Sequence, residues 1–194
     1  MSIEQKIEQM YKALEEMKIT DRPSVTPEIK RTAGSFSVSF DFNKGADSST
    51  AANRVSQLVA NIACLKDHLK VWCKNNGKPF EGEALIDSNR EVAIVHDLWN
   101  LDKHAELNRP SRSGLSPRFS NPRCTMELRA EAGKPRPTVF TPVGGGMIMS
   151  RGASLRIFAD VVDKDGNALG SLEAICETAR AAWESEFKKV GLTF

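Results

Sequence analysis

The sequence predicts an α+β domain, and three observations carry that prediction. Several long stretches repeat apolar residues at the period of a helix. Residues 35–42, SFSVSFDF, alternate at the period of a strand, and a strand-rich stretch at 124–162 precedes a closing amphipathic helix. One domain accommodates all of this: 194 residues, 40% hydrophobic and 27% charged, are ordinary proportions for a globular chain long enough to bury a core.

Taken in order, the first element is a helix near 2–19. Ser2 and Gln5 have capping-box spacing, and Ile3, Ile7, Met10, Leu14 and Met17 form one stripe. Pro23 and Pro27 then mark a loop. In the strand 35–42, Phe36, Val38, Phe40 and Phe42 share a face. After a polar turn, a long helix runs over 51–75 with Val55, Leu58, Val59, Ile62, Leu65, Leu69 and Trp72 inward. Gly77 stands where a C-terminal glycine cap belongs. A short link through Pro79 leads to a second long helix, 81–107, so the two form an antiparallel pair.

Residues 108–123 read as a basic loop. Strands follow near 124–131, 137–142, 147–150 and 153–162, the last placing Leu155, Ile157, Ala159 and Val161 on one face. Gly144-Gly145-Gly146 lacks the Gly-Lys-Ser/Thr of a phosphate loop and reads as a hairpin link. Asp163 to Asn167 is a turn with too few oxygen ligands in step for calcium. The closing helix, 170–189, turns Leu172, Ile175, Cys176, Ala179, Trp183 and Phe187 inward.

Composition excludes several classes. A net charge of +2 gives no general attraction to nucleic acid, so only a local concentration of charge can argue for it. No apolar run is long enough for a membrane span, and acids stand in MSIEQKIEQM where a signal peptide has basic and apolar residues. Cys64, Cys73, Cys124 and Cys176 include no CxxC pair, which predicts neither zinc nor disulfides but free thiols in a cytoplasmic chain.

The segment richest in chemistry lies on the second long helix. Residues seven apart nearly superimpose on a helix, so Arg90, Asp97 and His104 form a line with His96 and Asn100 beside it, while Val92, Ile94, Val95, Leu98 and Trp99 take the other side. Two readings are open. The stripe is a solvated or architectural face, with Asp97 pairing a cation such as Lys103 or with Asp97, Asn100 and His104 tying the helix to the following loop. Alternatively it is an acid–base site, the histidine passing protons and the arginine gripping a phosphate.

Arg90 and His96, with five residues between them, resemble the arginine-x(4–6)-histidine signature of HEPN domains, four-helix folds often found as metal-independent endoribonucleases. Asp97 to His104 looks like the D-x-x-N-x-x-K-H stretch of small, uncharacterised bacterial proteins with a HEPN-like helical core. In those a β-hairpin and a final tryptophan-bearing helix follow, as 153–187 with Trp183 do here. This second resemblance covers about 51–107 and 153–190.

The resemblance implies Arg90 and His96 as catalytic residues in a cleft shared by two protomers. Arg90 stabilises the transferring phosphate, His96 acts as general acid or base on a ribose 2′-hydroxyl, and Asp97, Asn100, Lys103 and His104 support them. It further implies RNA as substrate, a partner protein such as an antitoxin or defence component, and neither metal nor cofactor. Glu91 departs from the signature, which has a polar residue such as asparagine there, because a carboxylate repels phosphate. Arg109, Arg112, Arg118 and Arg123 of the basic loop are candidate nucleic-acid contacts, although Phe119 alone stands among them for base stacking. The reading from a different class is a non-catalytic interaction or structural domain in which the polar stripe is architectural.

Overall fold

The computed structural model describes residues 1–19, 28–32, 35–39, 48–104, 110–128, 133, 139–140, 148–149 and 153–193. Its elements run α1 (Ile3–Glu16), β1 (Lys18–Ile19), β2 (Glu28–Thr32), β3 (Ser35–Ser39), α2 (Ser48–Ala63), α3 (Leu65–Asn75), α4 (Gly82–Ser88), α5 (Arg90–His104), β4 (Arg118–Leu128), β5 (Val139–Phe140), β6 (Ile148–Met149), β7 (Ala153–Val162), β8 (Ala168–Ser171) and α6 (Leu172–Val190). The fold is α+β, a helical core against an antiparallel sheet.

Local chemistry sets the helix ends. Ser2 and Gln5 close the expected capping box on α1, each side chain bonding the other's backbone N–H. At the end of α3, Gly77 adopts φ +62° and the Lys78 N–H returns to the Cys73 carbonyl at 2.9 Å, the left-handed glycine stop that Gly77 predicts. Ser171 caps α6 through the Ala174 N–H, and left-handed Gly191 ends it.

Both long helices are subdivided. At Cys64 the backbone stays right-handed helical and its carbonyl still accepts from the Asp67 and His68 N–H groups, so α2 leads into α3 without a loop between them. At Asn89 the break is a true one: the residue is extended, its N–H closes α4 on the Leu85 carbonyl, and its side-chain oxygen accepts from the Val92 N–H at 3.0 Å. A short polar side chain that can cap a new helix interrupts the old one. The pair is antiparallel as expected. Ser56, midway along α2, bonds Asp102 late in α5, and Lys66 in α3 pairs with Glu83 at the start of α4.

The main sheet centres on β7. One edge of β7 pairs along its length with β4, and the other edge carries β1 at Leu155–Arg156 and β8 at Asp160–Val162, all antiparallel. In β4, Asn121 and Pro122 stand where β7 offers only Ala159, a bulge in which Asn121 takes φ +52°. β4 begins at Arg118, so the last third of the anticipated basic loop is strand. The β2–β3 hairpin forms its own two-stranded sheet, which makes 28–32 strand where a loop was expected and separates 35–39 from the main sheet. The side chains of Phe36 and Val38, together with Phe40 and Phe42, lie outside the described residues. β5 and β6 pair antiparallel, and the 144–146 glycines between them in the sequence lie outside the described residues.

The core lies between sheet and helices. Ile157, Ala159 and Val161 of β7 are buried in one cluster with Met10, Leu58, Ile62, Ile94, Leu98, Trp183 and Phe187. Burying a large apolar side chain contributes about 1.5–3 kcal/mol, so this face is the main stabilising term. Helix α5 is packed on several sides, by α2, α4, α6 and β4. Consequently every residue from Val92 to Leu98 is buried, the polar His96 and Asp97 included.

Candidate functional site: a buried aspartate and the loop it holds

Asp97 is 2% exposed, in the middle of α5, and a carboxylate there is costly unless its oxygens are satisfied. They are. Oδ1 accepts from the Arg112 N–H at 2.9 Å. Oδ2 accepts from the Ser111 hydroxyl at 2.6 Å, the Ser113 hydroxyl at 2.7 Å and the Ser113 N–H at 2.8 Å. Each hydroxyl, having given its proton to Asp97, accepts in turn: Ser111 Oγ from the Ser116 N–H at 3.1 Å and Ser113 Oγ from the Leu115 N–H at 3.3 Å. One carboxylate thereby orders residues 111–116, including Ser116 at φ +46°.

The Arg112 side chain fastens the same loop to α4. It donates to Glu83 Oε2 at 2.6 Å and to Asp87 Oδ1 at 2.7 and 3.1 Å, while Lys66 approaches the other Glu83 oxygen at 3.2 Å. The Arg112 hydrogen bond holds the Glu83 carboxyl below its ordinary range, against a burial that raises it. Arg112, a candidate phosphate contact in the sequence, has its donors on two carboxylates here.

The two residues proposed for catalysis are differently placed. Arg90 is 49% exposed at the start of α5, with Nη1 3.0 Å from Glu91 Oε1, so the glutamate that departs from the signature engages the arginine itself. His96 is 8% exposed, Nδ1 lying 3.0 Å from Asn100 Nδ2 and its ring edge-on to Trp99. Six residues along a helix place side chains about 120° apart around the axis. One chain therefore does not turn both groups into one hollow. Burial, reinforced by the positive charges of Lys66 and Arg112, pushes the His96 imidazole below its ordinary pKa and keeps it neutral at pH 7.

The remaining stripe residues are exposed or partnered locally. Lys103 sits over the Trp99 ring at 5.2 Å rather than on Asp97, Asn100 serves His96, and His104 is exposed at the helix end. Arg118 is exposed where β4 begins; Arg123 is paired through its backbone with Phe158, its side chain outside the described residues, as is all of Arg109. Among the described residues no group of His, Cys, Asp and Glu is arranged to hold a metal, and no helix is long and apolar enough to cross a membrane.

Ser111 and Ser113 are the site residues that sequence reasoning missed. The signal was present in Pro110-Ser111-Arg112-Ser113-Gly114, a turn-prone run whose hydroxyls satisfy nearby backbone N–H groups. Comparison with protein-family models, with curated proteins and with solved structures returned no match.

Proposed function

We propose that this chain is a non-catalytic interaction domain, in which the polar stripe of α5 is an architectural latch. The observation that carries this reading is Asp97, whose oxygens accept four hydrogen bonds from a single loop. A carboxylate so saturated has little capacity left for a substrate, whereas a loop held this firmly on a rigid helix suits recognition of a partner protein. The test pairs stability with binding. Asp97→Ala lowers the melting temperature and weakens capture of the cognate protein, while the purified chain leaves RNA intact. An Asp97→Ala chain as stable as wild type removes the latch.

The neutral His96 favours a second reading, a HEPN-like, metal-independent ribonuclease of a cytoplasmic toxin or defence system. A deprotonated imidazole at pH 7 is the state a general base needs. Because Arg90 and His96 of one chain diverge, this reading requires a homodimer that brings Arg90 of one protomer to His96 of the other. Metal-free RNA cleavage that His96→Ala abolishes, in a protein dimeric by light scattering, establishes this reading in place of the first; a stable monomer rules it out.

A further inference from the structure

A separate cavity of about 290 Å³ opens between α1, α2 and α6, away from the α5 latch. Leu14, Met17 and Leu58 provide apolar lining, Met17 and Leu58 being buried, and Tyr11 contributes an aromatic wall. The volume is at the small end of the roughly 300–1,000 Å³ of small-molecule sites. The charged lining consists of Glu15, Glu173, Glu177 and Arg180.

Arg180 does not make the cavity an anion site. Its Nε donates to Glu177 at 2.8 Å and its Nη1 to Glu184, while its guanidinium lies 5.8 Å from the centre of the Tyr11 ring. The Tyr11 hydroxyl also donates to Glu184, so the aromatic wall is held in place before any ligand arrives. Arg156 pairs with Glu173 at 3.0 Å. Among the described residues, the three lining carboxylates of Glu15, Glu173 and Glu177 face the lining guanidinium of Arg180 and that of Arg156, which pairs with Glu173. The surplus is negative, over a floor that is hydrocarbon.

We propose that this cavity binds a small organic cation with an apolar or aromatic body. The hydrocarbon rests on Leu14, Met17 and Leu58, and the ammonium group sits among Glu15, Glu173 and Glu177. Shape selects a short amphiphile, and charge selects its sign. The site is independent of the α5 latch, so it stands or falls without it.

The experiment uses the full chain and three probes of one size: 2-phenylethylammonium, 2-phenylethanol and 3-phenylpropionate. Backbone amide NMR shifts are followed through each titration. The expected result is saturable shifts at Tyr11, Leu14, Met17, Leu58 and Arg180 with the ammonium probe, and at least fivefold weaker binding of the other two. The double variant Glu15→Gln/Glu173→Gln, which leaves the Arg180 network intact, weakens the ammonium probe at least fivefold. Leu14→Trp, a partly buried position that can fill the opening, abolishes binding in a chain whose remaining spectrum is unchanged. Shifts that map elsewhere, equal affinity for all three probes, or an unaffected double variant overturns the proposal.

Discussion

Two turns in this protein are built on an aspartate, and they use it in opposite ways. Asp163, between β7 and β8, accepts from the Asp165 and Asn167 N–H groups and from the Asn167 side chain, each at 2.9 Å, within four residues and at the surface. Asp97 accepts from residues 14 to 16 positions away and is almost wholly enclosed. The chemistry is nearly the same, but water can replace the partners of Asp163, whereas nothing replaces those of Asp97. Burial decides whether such a carboxylate shapes a turn or anchors a tertiary contact.

The sharpest way to break this comparison is substitution of the two acids. Asp97→Ala leaves part-buried hydroxyl and N–H donors of the loop without their acceptor and costs about 3 kcal/mol. For a chain of this length that lowers the melting temperature by roughly 6–12 °C. Urea unfolding of both variants checks it, and equal losses from Asp97→Ala and Asp163→Asn dissolve the distinction. Next in size is Asn89→Ala, which removes the cap that starts α5 and costs about 1 kcal/mol; the same measurement separates a local cap from the long-range latch.

Acidity sharpens the picture further. His96 has a depressed pKa in the folded chain, so as pH falls below about 6.5 the unfolded state takes up the proton first and stability declines. His96→Gln flattens the decline between pH 7 and 5, measured by urea midpoints; an unchanged slope shows that His96 is not its source. The smallest effect belongs to Asp163. Hydrogen bonds from Asn167 and the turn backbone hold its carboxyl below the ordinary range, so its contribution is present above about pH 4 and is lost on further acidification. Asp163→Asn removes that acid dependence and alters stability at pH 7 least of the four variants.

What was legible in the sequence was local. The Ser2–Gln5 box, the Gly77 stop, the span of β7 and the inward face of α6 each depend on residues a few positions apart, and each appears as read. Asn89 escaped notice because the apolar period continues across it while its own side chain starts a new helix. β1 and β8 are too short to show alternation and exist because β7 offers them an edge. The α5 stripe was legible as polar, but the burial of Asp97 within it was not. Its cover is a loop that meets it only after the chain turns back, and helical periodicity carries no information about that return. Arg112 illustrates the same limit: a basic run suggests phosphate until Glu83 and Asp87 are seen to face it.

The bulge in β4 has a bearing on solubility. Among the described residues β4 is an edge strand of 11 residues, and an edge strand of that length invites pairing with another molecule. Pro122 contributes no N–H to such a pairing, and left-handed Asn121 throws the neighbouring groups out of register. An incoming strand finds two short, mismatched footholds instead of one continuous template, a built-in guard against fibre formation.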